Sequence, residues 1–196
     1  MRVQSILLAS FMLVPPSMSA TAQELVRRPL PDTVTVDGIP CAATEPAYAE
    51  FFPSGRLHSC PIARAMTMGG HELPAATWLQ FEEDGTLISA WLPHDTMLAG
   101  HLCKGTGYKG WSVRFYPGGG LSLCFLADVT VVDGVPCQRG TFWNEIRGGS
   151  RTGVGFHENG RLSRCQAARR FERDGQAIGK WDVVRLDTEG RLIPRG

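Results

Sequence analysis

Apolar and polar residues alternate with a period of two over much of the chain, in short runs that end in turn-forming residues. Thr77, Leu79 and Phe81 form one such run, Trp111, Val113 and Phe115 another, and Thr152, Val154 and Phe156 a third. This is the pattern of a half-buried β-strand. The runs lead into a phrase written five times: an aromatic, three turn residues, Gly, any residue, Leu. Phe51 to Leu57 is the first copy, followed by Phe81 to Leu87, Phe115 to Leu121 and Phe156 to Leu162; the fifth, Leu186 to Leu192, has lost its aromatic. Pro or an acidic residue, then a small polar residue, then Gly predicts a type I turn closed by a glycine of positive φ. Each copy is therefore a predicted hairpin whose aromatic and Leu share one face.

A second phrase lies between the hairpins. Val34 to Cys41 (VTVDGIPC) matches Val129 to Cys137 (VTVVDGVPC), with echoes at Gly70 to Ala75 and Asp174 to Ile178. It predicts a strand, a tight Asp-Gly turn and a short return. One stretch, Arg164 to Arg173, is a candidate helix. The fold class is all-β: five stacked β-hairpin repeats forming an antiparallel meander or elongated twisted sheet, as expected of one supersecondary unit repeated every few tens of residues. The units fall near 34–60, 61–90, 91–124, 125–165 and 166–196.

The first residues read differently. Arg2, the apolar run Ile6 to Val14 and Ala20-Thr21-Ala22 have the layout of a signal peptide, 1–22, cut between Ala22 and Gln23. The chain is thus expected to be exported, to the periplasm or beyond the cell. Residues 23–33 then form an extended arm and 34–196 a single repeat domain.

Export makes the six cysteines candidates for three disulfides. The repeat selects the pairing. Each unit has an opening position after an apolar-Gly turn and a closing position five residues beyond the repeat Gly. Cys41 and Cys60 hold these places in unit one, Cys103 and Cys124 in unit three, Cys137 and Cys165 in unit four. Unit two has Ala75 and Ala90 there, and unit five Ile178 and Arg195. Cysteine occupies both places or neither, so the expected bridges are Cys41–Cys60, Cys103–Cys124 and Cys137–Cys165. A zinc site wants cysteines about two to four residues apart; His101-Leu102-Cys103 is the nearest approach, and no metal is expected.

The phrase Phe156 to Leu162 resembles the aromatic-x-x-Asn-Gly-x-Leu hairpins of bacterial MORN-type repeat variants, and Phe51 to Leu57 is nearly as close. The resemblance covers about seven residues per unit. It implies stacked hairpins serving as a scaffold or binding surface, sometimes at membranes, without catalytic residues.

No catalytic signature accompanies the repeat. His58, His71, His94, His101 and His157 lack partners at ligand spacing, although His71, His94 and His101 all fall between hairpins. Ser112 and Ser122 lack a nucleophile elbow. Glu82-Glu83-Asp84 and Gly118-Gly119-Gly120 coincide with turns. Trp78, Trp91, Trp111, Trp143, Trp181 and Tyr108 suit either a sheet core or a sugar-stacking ladder.

Charge adds one hint. Gln23 to Pro136 carries seven Lys/Arg against twelve Asp/Glu, and Cys137 onward twelve against seven. The basic end, with Arg161, Arg164, Arg169, Arg170 and Arg173, is a candidate surface for an anionic envelope component, another protein or a second copy. Nucleic acid is not expected of a neutral exported chain. The expectation is a non-enzymatic exported binding or scaffolding module without cofactor. The alternatives are an outer-membrane β-barrel and a hydrolase built on His94, Asp95 and His101.

Overall fold

The computed structural model describes residues 24–43, 47–106, 110–141 and 152–194; the signal-like segment 1–22, Tyr108, Trp143 and Arg195 lie outside them. The described residues form twenty strands and no helix. Ten build one antiparallel sheet: β1 (Val26–Pro29), β4 (Tyr48–Phe51), β5 (Leu57–Pro61), β8 (Trp78–Phe81), β9 (Leu87–Trp91), β12 (Ser112–Phe115), β13 (Leu121–Cys124), β16 (Val154–Phe156), β17 (Leu162–Gln166) and β20 (Val183–Arg185). They lie side by side in chain order, so the sheet is an open meander with β1 and β20 at its edges. The arm residues Val26–Pro29 are the first edge strand, paired with β4.

The other ten strands form five small hairpins: β2 (Val34–Val36) with β3 (Ile39–Cys41), β6 (Met66–Met68) with β7 (His71–Leu73), β10 (Thr96–Leu98) with β11 (His101–Cys103), β14 (Thr130–Val132) with β15 (Val135–Cys137), and β18 (Phe171–Arg173) with β19 (Gln176–Ile178). Each unit thus supplies one small hairpin and then its strands of the main sheet. The two phrases of the sequence are these two kinds of hairpin.

In the main hairpins the aromatic and the Leu are register partners: Phe51 with Leu57, Phe81 with Leu87, Phe115 with Leu121, Phe156 with Leu162. All eight are buried. The register slips by one residue beside each of these pairs, which marks a bulge at the turn. The repeat Gly takes positive φ in every copy, from 80° at Gly160 to 91° at Gly85, as only Gly does cheaply. The alternating runs read from sequence line the same face, with Thr77, Leu79 and Phe81 at 3% exposure or less.

The small hairpins cover that face. Leu73, Leu98, Val132, Val135 and Ile178 share one buried cluster with the phenylalanines and leucines of the sheet. The three disulfides tie cover to sheet and follow the pairing expected from the repeat, with Cα separations of 5.7 Å for Cys41–Cys60, 5.7 Å for Cys103–Cys124 and 5.6 Å for Cys137–Cys165. Beside each bridge, two backbone bonds join the same segments. Ala42 N–H donates to Pro61 and Ala63 N–H to Pro40; Lys104 to Phe125 and Ala127 to Leu102; Gln138 to Gln166 and Ala168 to Pro136.

Two sequence expectations need correction. The opening position of unit two is Leu73, not Ala75: the hairpin register pairs Met66 with Leu73 as it pairs Thr96 with Cys103. Counted from the hairpin glycine, the position is always three residues on (Gly38 to Cys41, Gly70 to Leu73, Gly100 to Cys103, Gly134 to Cys137, Gly175 to Ile178); Pro74 had suggested a different alignment. Arg164 to Arg173 is not a helix. It runs from β17 through a bend into β18, because the Cys165 bridge and the bond from Ala168 to Pro136 hold it extended.

Unit two is joined differently throughout. Leu73 and Ala90 stand in the bridge positions, both fully buried. The two residues that would donate the flanking backbone bonds are Pro74 and Pro93, which have no N–H. Its hairpin tip instead rests on unit three, where a Cβ on Gly119 would lie 2.6 Å from the Gly69 Cα, and His71 Nε2 meets the Gly119 carbonyl at 3.0 Å. Replacing both Leu73 and Ala90 by Cys should produce a fourth disulfide and stabilise the fold by about 2–4 kcal/mol. Non-reducing peptide mapping and thermal unfolding check this; free thiols in the folded variant would contradict the equivalence of the units.

Candidate functional site

With one face covered by hairpins, the chemistry open to a partner lies on the other. One row of residues crosses all ten strands of that face in unbroken register: Arg27, Glu50, Ser59, Gln80, Ser89, Arg114, Leu123, Gly155, Arg164 and Arg185. Each member alternates with a buried residue of the covered face, such as Phe51, Phe115 or Cys165, which is why it points the opposite way.

The first half of the row is internally satisfied. An Arg27 guanidinium N–H donates to Glu50 at 2.8 Å, and Ser59 Oγ donates to the other Glu50 oxygen at 2.9 Å. Ser89 Oγ donates to the Gln80 amide oxygen at 2.8 Å, and the Gln80 amide nitrogen lies 3.2 Å from His58 Nε2. Donation by the amide places the ring proton on His58 Nδ1, which faces Glu50 at 3.6 Å. Burial opposes the Glu50 charge, but the bonds from Arg27 and Ser59, with the nearby positive charge, outweigh it and set its pKa below the ordinary 4.5. Burial dominates at His58 and holds its pKa below 6.5 despite Glu50 and Glu82. Tyr48, Trp78 and Pro61 complete this layer, with the Tyr48 and Trp78 rings 5.0 Å apart and Trp78 only 2% exposed.

The second half is exposed and cationic. Arg114, Arg164 and Arg185 are exposed, and their guanidinium groups make no hydrogen bond or ion pair with other described residues. Arg164 and Arg185 are direct cross-strand neighbours, an arrangement that like charges disfavour. Between the halves lies a half-open cavity of about 380 Å³ whose lining includes Gln80, Ser89, Trp91, Ser112, Arg114 and Phe115.

The five arginines singled out in the sequence do not form one surface. Arg161 donates to the Glu189 carbonyl at 2.7 Å and lies 3.8 Å from Asp133. Arg173 bonds the carbonyls of Asp133 and Gly190. Both lock turns of the covered side. Arg169 and Arg170 sit exposed in the bend before β18. Only Arg164 faces the open side, where it joins Arg114 and Arg185. Alternation with Phe115 and Cys165 put Arg114 and Arg164 on the polar face of their strands; lining them up with Arg185 required the register.

The other residues singled out in the sequence lie outside this row. His71 and His101 lie against Phe115 and Phe156, with ring centroids 5.4 and 4.7 Å apart, and burial lowers the pKa of His101. His94 and His101 are at opposite ends of the β10–β11 hairpin, while the Asp95 carboxylate accepts the Gly105 N–H, so the structure does not assemble them into one constellation. His157 Nε2 meets the Leu186 carbonyl at 2.9 Å. Glu82-Glu83-Asp84 and Gly118-Gly119-Gly120 are turn tips. Trp111 is buried against Phe125, Trp181 is exposed with Lys180 over its ring, and Trp91 alone faces the cavity. Among the described residues no three of His, Cys, Asp and Glu converge as metal ligands. No family model matches the chain, and searches of curated proteins and of solved structures found no match.

The half-buried histidines His58 and His101 should make the fold acid-sensitive. Because the folded pKa values of His58 and His101 lie below 6.5, the unfolded chain takes up protons first, and stability falls as pH drops through about 6.5. The Glu50 contribution is lost only below about 4.5, on the same reasoning. The melting temperature should therefore decline from pH 7 to pH 5, and less steeply in the double variant His58→Gln, His101→Gln. Parallel profiles for the two proteins would exclude these residues as the cause.

Proposed function

We propose that this chain is an exported, non-catalytic binding module that holds an anionic component of the cell envelope on the uncovered face of its sheet. The observation that carries the reading is the opposed pair Arg164 and Arg185, exposed and without an acidic partner among the described residues, in one register row with Arg114. Two guanidiniums held side by side repel each other until an anion lies between them. The three disulfides, which fit an oxidising compartment, and the signal-like segment 1–22 support export, to the periplasm or the cell exterior. The likeness of the hairpin phrase to MORN-type repeats supports a scaffold whose units carry no catalytic residues. Another protein with an acidic surface would meet the same arginines.

The double variant Arg164→Gln, Arg185→Gln separates binding from folding. Relief of the repulsion should leave stability unchanged or raised by about 0.2–1 kcal/mol, while retention on immobilised polyphosphate or polyglutamate, measured as the salt concentration of elution, should drop. Elution of the variant at the wild-type salt concentration would defeat the reading.

A further inference from the structure

The tips of the small hairpins meet the turns of the main sheet, and the cleft between tip and turns is built differently in unit three. We propose that the unit-three cleft binds a small zwitterion, an α-amino acid with free ammonium and carboxylate groups. Its carboxylate accepts the Leu121 N–H and its ammonium lies beside Glu158. The cleft shares no residue with the arginine row, so this site is separate from the anion-binding face.

The repeat shows what such a cleft contains elsewhere. In unit one it is a cavity of about 320 Å³ whose lining includes Asp37, Arg56 and Leu57 and, from the next turn, Phe81, Asp84 and Gly85. Asp37, at the hairpin tip, accepts the Leu57 N–H at 2.9 Å. Arg56 reaches over the next turn, where a Cβ on Gly85 would lie 3.0 Å from its Nη2. Unit four has both parts again. Asp133 accepts the Leu162 N–H at 2.7 Å, and Arg161 donates to the Glu189 carbonyl at 2.7 Å. The carboxylate and the guanidinium stand 3.8 Å apart. One acid on a leucine N–H and one base on the neighbouring turn thus furnish the cleft.

Unit three has neither. Ala99 holds the place of the aspartate with the same left-handed backbone, φ 48° against 46° at Asp37 and Asp133. Gly120 holds the place of the arginine. Leu121 is buried, and among the described residues no side chain accepts its N–H; a buried donor is costly to leave without an acceptor. Unit two also lacks the pair, with Gly69 and Thr86 in the two places, but its backbone closes the gap. There the Gly69 and Gly119 chains approach too closely to admit a Cβ, and His71 Nε2 donates to the Gly119 carbonyl. Unit three has no such closure: a Cβ on Gly120 would meet nothing nearer than the Glu158 carbonyl at 3.9 Å.

The resulting cavity, about 240 Å³, has a lining that includes Ala99, His101, Gly120, Leu121, Phe156 and Glu158. It is smaller than the range of about 300–1,000 Å³ usual for drug-sized ligands, which suits a molecule of amino-acid size. The carboxylate side offers the Leu121 N–H and His101, whose ring stacks on Phe156 and makes no hydrogen bond to another described residue; an imidazole presents at least one N–H. The opposite side carries Glu158, the one acid of the lining. The rest is committed: His71 to the Gly119 carbonyl, and Asn159 to the Thr188 carbonyl and the Arg161 N–H. A simple anion would face Glu158, and a simple cation would leave Leu121 without an acceptor. A molecule with both charges on one carbon answers both walls. Ala99 and Glu158 are exposed, so the ligand's side chain is left toward solvent and the cleft reads the two α-groups.

NMR titration of the oxidised protein with L-alanine tests this, with alaninamide and N-acetylalanine as probes that each lack one charge. The expected result is a saturable shift of the Leu121 amide with alanine, and affinity at least about tenfold weaker for either derivative, the loss of one charge-assisted hydrogen bond. The double variant Ala99→Asp, Gly120→Arg gives unit three the pair that units one and four already fold with. It should raise the melting temperature, shift the Leu121 amide without ligand and abolish the response to alanine. If it fails to fold, Ala99→Asp alone should block the carboxylate place in the same way. A Leu121 amide that ignores alanine, a response to either derivative equal to that of alanine, or alanine binding that survives in the folded variant would overturn the site.

Discussion

A sheet with phenylalanine and leucine on one side is stable in water only if something covers that side, and the rest of this structure depends on how the cover is fastened. In units one, three and four the fastening lies three residues beyond the small-hairpin glycine. There a side chain of the cover meets a side chain of the sheet, Cys41 with Cys60, Cys103 with Cys124 and Cys137 with Cys165, and the backbones on either side exchange two hydrogen bonds. Hairpin tips add a second point of attachment. Asp37, Asp133 and Asp174, each at positive φ, accept the N–H of Leu57, Leu162 and Leu192. One carboxylate thus fixes the turn of the cover against the turn of the sheet, and the Asp-Gly pair of the second phrase has a tertiary as well as a local reason to exist.

Most of the fold was legible because its constraints are local and repeated. The positive-φ glycines, the Phe and Leu pairing across a turn and the cysteine positions each appear several times, so each copy checks the others. The errors arose where one copy departed from the rest. Pro74 stands one residue after the true bridge position and drew the alignment onto Ala75. In Arg164 to Arg173, alanine, arginine and glutamine favour a helix locally, but the contacts that forbid one come from Pro136 and Cys137 in a distant part of the chain. The small hairpins were readable as hairpins; that they would form a second layer was not, since nothing in a three-residue strand states which surface it meets.

The candidate site was less legible for a related reason. Net charge located the basic end but not its geometry, and Arg161 and Arg173 proved to be committed to carbonyls of neighbouring turns. A face is a property of register across strands tens of residues apart. Arg114, Arg164 and Arg185 become neighbours of one surface only after four successive pairings have been counted. The asymmetry of that surface also follows from register: in units one and two the row carries Glu50, Ser59, Gln80 and Ser89, which satisfy one another, and past unit two the same positions carry arginine, leucine or glycine, which cannot.

The order of the bridges bears on how the protein reaches its folded state. Each disulfide joins two cysteines that are consecutive in the chain, first to second, third to fourth and fifth to sixth. A chain that emerges N-terminus first into an oxidant therefore exposes each cysteine next to its correct partner before the following pair arrives. Random oxidation in the order of appearance yields the native set, with no shuffling step needed to undo an early mistake. The same nesting means that a whole unit, cover and sheet hairpin together, can be gained or lost by recombination without orphaning a thiol, and unit two shows what a unit looks like when it carries no thiols at all.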